Sequence, residues 1–155
     1  MNRTGNRFGR GSAIVVSVAM ATCLAACGNS QNEHRLSIIR ADPVLRCRVH
    51  GMHLTSASNV AGSRDGIGFG GNTATGVSRR YRLQGEFQPT ADRLSACASA
   101  AGWAASSNPV SEPNFLVIDG HKRIDNEWDA TLTIYVGHDA ERNPSVLVTI
   151  DTEPV

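Results

Sequence analysis

Lysine is almost missing from this sequence: Lys122 is the only one, and every other cation is an arginine. We read that as the codon bias of a GC-rich genome rather than as chemistry. Selection for arginine forks that grip anions needs a cluster on one face, and only Arg79, Arg80 and Arg82 approach one. Aromatic residues are scarce, at 5% of the chain. A surplus of one sign of charge is missing too. All fourteen acids lie beyond residue 26 while three of the fifteen basic residues lie before it, which leaves the remainder at −2. So balanced a chain has no basic stripe, and nucleic acid is not an expected partner. No apolar run reaches the roughly 20 residues that a spanning helix needs.

The N-terminus has an order of its own. Arg3, Arg7 and Arg10 sit among polar residues with no acid, and Ser12 to Ala26 is then apolar and small. A charged stretch followed by a short hydrophobic one is the order of a secretory signal. An uncleaved anchor is the competing reading, but the run is short and contains Ser17, Thr22 and Cys23.

Leu24, Ala25, Ala26, Cys27 and Gly28 close this segment. They resemble the lipobox of bacterial lipoproteins, in which an aliphatic residue and two small ones precede an obligatory cysteine. The resemblance covers only the signal and its junction and places the rest of the chain in no family. It implies that the Cys27 thiol accepts a diacylglyceryl group, and that small residues before it let the extended chain enter the signal peptidase. Cys23 competes poorly, because cleavage there leaves apolar Leu24 to Ala26 on the mature end. Two acyl chains hold a protein where one is marginal, since each buried methylene contributes roughly 0.8 kcal/mol. The expectation is a lipid-anchored protein on the extracytoplasmic side of the cell membrane, with residues 1–26 a signal peptide, 27–36 a flexible tether and 37–155 one globular domain.

Export leaves Cys47 and Cys97 in an oxidising compartment, where a pair is expected to be bridged rather than free. Only one pairing is open to them if Cys27 is acylated. Residues 62–76 hold Gly62, Gly66, Gly68, Gly70, Gly71 and Gly76 among small polar residues, and read as a mobile loop. Met52 to Val60 and Val77 to Gly85 read as two strands joined by it. Pro89 and Thr90 are expected to open a helix, with Thr90 as cap and Asp92 near the positive end of the dipole; Gly102 closes it. Leu94, Cys97, Ala98 and Ala101 form its apolar stripe.

Later, Phe115 to Ile124 and Glu127 to Val136 flank Asp125 and Asn126, a pair suited to a hairpin turn. The second arm alternates, with Ala130, Leu132, Ile134 and Val136 on one face and Thr131, Thr133 and Tyr135 on the other. Ser145 to Asp151 repeats the pattern after a turn at Asn143 and Pro144. The order β, β, α, β, β, β predicts an α+β fold: one antiparallel sheet with a single helix packed on one face. Arg35 to Arg46 could add a short helix, but Leu36, Ile38 and Ile39 settle into neither period and Pro43 interrupts it.

Chemical motifs are thin. Gly66, Gly68 and Gly71 match G-x-G-x-x-G, but strand-like residues follow where a phosphate cradle needs a helix. His34, His50, His53, His121 and His138 are scattered, and His50 and His53 are expected on opposite faces, which defeats a shared metal ion. Asp119, Asp125, Glu127 and Asp129 match no EF-hand spacing and read as a solvated turn. No serine sits in a nucleophile setting such as G-x-S-x-G. No metal, cofactor or catalytic set is assigned. Trp103, Trp128 and Tyr135 are the candidate binding residues, since aromatics often anchor partners; core caps are the competing reading for the two tryptophans. The chain therefore reads as a non-enzymatic binding or scaffolding lipoprotein, whose partners are the membrane through Cys27 and another envelope protein. The alternative is a small-ligand binder using the open sheet face and the glycine loop.

Overall fold

The computed structural model describes residues 30–62, 74–105, 111–112, 115–124, 126 and 128–154. The signal, Cys27, most of the glycine loop, Asp125 and Glu127 lie outside the described residues. Helix α1 covers residues 30–41, and a short 3₁₀ helix, Pro43–Arg46, follows it. Strands β1 (Met52–Val60) and β2 (Gly76–Leu83) precede helix α2 (Phe87–Ala100). Two short strands, β3 (Ala104–Ala105) and β4 (Ser111–Glu112), lead to β5 (Phe115–Arg123), β6 (Trp128–His138) and β7 (Pro144–Pro154). All pairs are antiparallel in the order β1-β2-β7-β6-β5-β3, with β4 also on β5.

The fold is α+β, with five long strands and two α-helices rather than the single helix expected. The extra helix also corrects the tether, because residues 30–36 are helical. Its buried stripe explains why the sequence hid it. Arg35, Leu36 and Ile39 are all buried, at helical spacing, but a charged residue fills one core-facing position. Asp42 ends the helix and accepts from the Val44 backbone N–H at 2.9 Å, and Pro43 then opens the 3₁₀ turn, where its missing N–H costs nothing.

Helix α2 begins at Phe87, two residues before the expected start. Proline is tolerated in a first turn because its absent donor has no intrahelical partner there, so Pro89 does not mark a boundary. Thr90 is therefore not the cap; its hydroxyl donates back to the Glu86 carbonyl at 2.8 Å, and Asp92, beyond the first turn, accepts from Gln88 at 2.8 Å. Gly102 does close the helix, at φ +83°. Gly102 N–H donates to Ser99 O and Trp103 N–H to Ala98 O, both at 3.0 Å, a pairing that needs a left-handed residue between them.

The alternation in the last strands holds. Ala130, Leu132, Ile134 and Val136 are buried opposite Val146, Val148 and Ile150, and Val77 continues the layer onto β2. Leu36 and Ile39 of α1 and Ala91, Leu94 and Ala98 of α2 enter the same core. Cys47 and Cys97 are bridged, with α carbons 6.2 Å apart, so the 3₁₀ turn is bonded to α2 across 50 residues of chain.

Candidate functional site

The three aromatic candidates are not brought together. Trp103 is 4% exposed and its indole N–H donates to Asp42 Oδ1 at 3.2 Å, so it belongs to the core. Trp128, half-buried at the start of β6, has the Arg35 guanidinium 3.6 Å from its ring centroid. That contact fastens α1 to the sheet through a cation over a π face. Only Tyr135 lies on the face opposite the core.

That open face is built in rows by the strand register. Val117, Tyr135, Leu147 and Arg80 are successive neighbours across β5, β6, β7 and β2. Asp119, Thr133, Thr149 and Ser78 form the next row, and His121, Thr131 and Asp151 the one after. Tyr135 stacks on Phe115, with ring centroids 5.5 Å apart and planes at 27°, and its hydroxyl donates to the His138 carbonyl at 3.3 Å. Gly137 makes this arrangement possible, since a Cβ there would stand 2.7 Å from both Phe115 Cβ and the Tyr135 oxygen. In the middle row Thr133 donates to Asp119 Oδ1 at 3.0 Å. Val117, Thr131, Thr133, Tyr135, Leu147 and Thr149 are all half-buried. The face thus offers an aromatic and aliphatic end beside a row of hydroxyls, a composition suited to a broad polar contact with a packed centre.

A second cluster was invisible in the sequence. Lys122 lies on the core side of β5 and donates to Asp42 Oδ2 at 2.9 Å and to the Ala101 carbonyl at 2.8 Å, with its ammonium 5.5 Å from the Trp103 ring centroid. The sole lysine therefore joins the end of α1, the end of α2 and β5. A cation at a helix C-terminus also meets the negative end of the dipole. Asp42 is engaged by the Val44 N–H, the Trp103 indole and Lys122.

Clefts lined by described residues include the following two. One, of about 260 Å³, lies among Val49, His50, Gln84, Thr90 and Arg93. The other, of about 140 Å³, lies among Thr55, Arg80, Arg82, Asp139 and Ser145. Asp139 there is held below the usual carboxylate range, chiefly by the Asn143 backbone N–H, with the Glu141 N–H and the Arg80 charge adding to it. Both clefts are smaller than the roughly 300 Å³ at which small-molecule sites begin. Among the described residues no three His, Cys, Asp or Glu side chains converge on a metal-sized space. Compared with known protein families, curated proteins and solved structures, the chain matches none.

Proposed function

We propose that this chain is the precursor of a lipoprotein, acylated on Cys27 and held on the extracytoplasmic side of the cell membrane, whose domain is a non-enzymatic module that docks another envelope protein. The observation that carries the docking part is the open sheet face, where Val117, Tyr135 and Leu147 stand half-exposed in one cross-strand row. Both helices lie on the other side of the sheet, and among the described residues no element packs over this face.

Two experiments test the two parts separately. Metabolic labelling with a fatty acid should mark the wild-type chain and not Cys27→Ala; label retained on the variant overturns the anchor. Mild detergent extraction should recover a companion envelope protein that Val117→Asp and Leu147→Asp lose while thermal melts stay close to wild type. Recovery of the same companion by both variants overturns docking on this face.

A further inference from the structure

The two edges of the sheet are finished differently. The outer side of β5 is occupied by β3 and β4, whereas β1 ends the strand order and, among the described residues, pairs only with β2. Every residue from His53 to Val60 is exposed, with Leu54 at 57% and Val60 at 48%. An outer strand presents a row of backbone donors and acceptors, and proteins blunt such rows with lysine, proline, inward charge or a bulge. Met52–Val60 contains no lysine, arginine, acid or proline. Its one protective device is a bulge between Leu54 and Ser56, where the Thr55 hydroxyl donates to the Arg80 carbonyl at 3.1 Å. Beyond it, Ser56 to Val60 is in unbroken register with β2, and Arg79 holds that stretch in place through Ser58 O at 3.1 Å and Asn59 Oδ1 at 3.0 Å.

The geometry points to a second copy of this chain as the occupant of that edge, paired antiparallel through residues 56–60 across a two-fold axis at Ser58. The midpoint follows from the bulge, which removes Thr55 and leaves a regular stretch centred on Ser58. In that register Ser56 faces Val60 of the other copy, Ala57 faces Asn59, and Ser58 faces itself. Residues 56–60 carry no Lys, Arg, Asp or Glu to oppose their copies, and the small side chains let the backbones approach. An isologous contact of this kind closes on itself and leaves no further edge of the same type, so assembly stops at two. A pairing of five residues a side buries less than the roughly 1,000 Å² of a tight interface, and a dissociation constant of order 10 µM is expected.

Sedimentation equilibrium of the full chain in density-matched detergent provides the test. The wild type should pass from one to two chains in the micromolar range. Ser58→Lys and Ser58→Glu should each weaken pairing at least tenfold by opposing like charges at the axis, and an equal mixture of the two should pair again. Because Ser58 is exposed, both variants should melt like the wild type. A wild-type chain that stays single at concentrations of order 100 µM overturns the proposal. So does a dimer that neither variant weakens, which places the contact elsewhere. Pairing of this edge with a strand of a different protein, while the purified chain stays single, likewise overturns the second copy as occupant.

Discussion

In β6 every second residue from Ala130 to Val136 is 1% exposed or less, whereas in β1 every residue from His53 to Val60 is exposed. The two strands belong to one sheet, and both are paired antiparallel. What differs is the layer above them. Leu36, Ile39, Leu94 and Ala98 cover the middle of the sheet, and β1 lies outside that cover. Hydrophobic alternation is thus the imprint of something packed overhead, and a strand without it still pairs along its length, interrupted here at one bulge. Register needs another source in β1, because no buried face specifies it. The bulge at Thr55 and the Arg79 contacts supply one.

The widest way to break this contrast is to loosen the covering layer. Replacing Cys47 and Cys97 together by Ala releases a loop of 50 residues, which in the chain-entropy view costs about 4 kcal/mol. Urea melts should show a lowered midpoint, and reducing agent should do the same to the wild type. Next, Leu132→Ala removes a side chain with 0% exposure and should cost about 3 kcal/mol through the cavity it leaves. Leu54→Ala, at 57% exposure, should stay within about 0.5 kcal/mol. Equal losses for the two leucines would show that burial does not set the energetic difference between the strands.

The opposite edge sharpens the comparison. Beside β5, Lys122 is a third exposed and pairs with an Asp42 side chain that is only 7% exposed. Lys122→Met strands a buried carboxylate and an Ala101 carbonyl, at a cost of about 2 kcal/mol after allowance for the partial exposure of the lysine. Lys122→Met combined with Asp42→Asn should recover part of that loss. A double variant as unstable as the sum of its parts argues that the pair does not act as a unit.

How much of this was legible in the sequence depends on the range of the signal. The β6 and β7 alternation, the α2 stripe and the glycine that ends α2 are local patterns, and each survives in the structure. The cysteine pair was legible because, with Cys23 and Cys27 set aside in the N-terminal segment, counting leaves it no alternative partner. Helix α1 was not, because Arg35 occupies a core position and lies under no rule of apolar spacing. The Asp42, Trp103 and Lys122 cluster joins positions 61 and 80 residues apart, and no spacing announces such a contact. For the open face, alternation places Tyr135 correctly. Its stack on Phe115 needs the β5 to β6 register, which sequence supplies only through the hairpin.

Tyr81 stands between the two regions, and its titration reads both. On β2 it pairs with Leu54 of β1 on one side and Val146 of β7 on the other, half-buried at the border of the covering layer. Burial pushes its phenol above the ordinary value of 10.0, against the pull of Arg79 and then Arg48. The folded protein therefore keeps a proton that the unfolded chain gives up near pH 10. Any stability this supplies is complete below that pH and falls as pH rises through the raised value. Its contribution should be smaller than that of the disulfide, the buried leucine or the Lys122 pair. It is seen as a urea midpoint that is level up to about pH 9 and declines above about pH 10. Tyr81→Phe should remove its share of the decline, because phenylalanine has nothing to ionise. Arg79→Gln should carry the decline to higher pH, since it removes the larger of the two lowering charges. A Tyr81→Phe profile that falls as steeply as the wild type assigns the alkaline loss to other groups, and places Tyr81 with the solvated strand rather than at the border of the core.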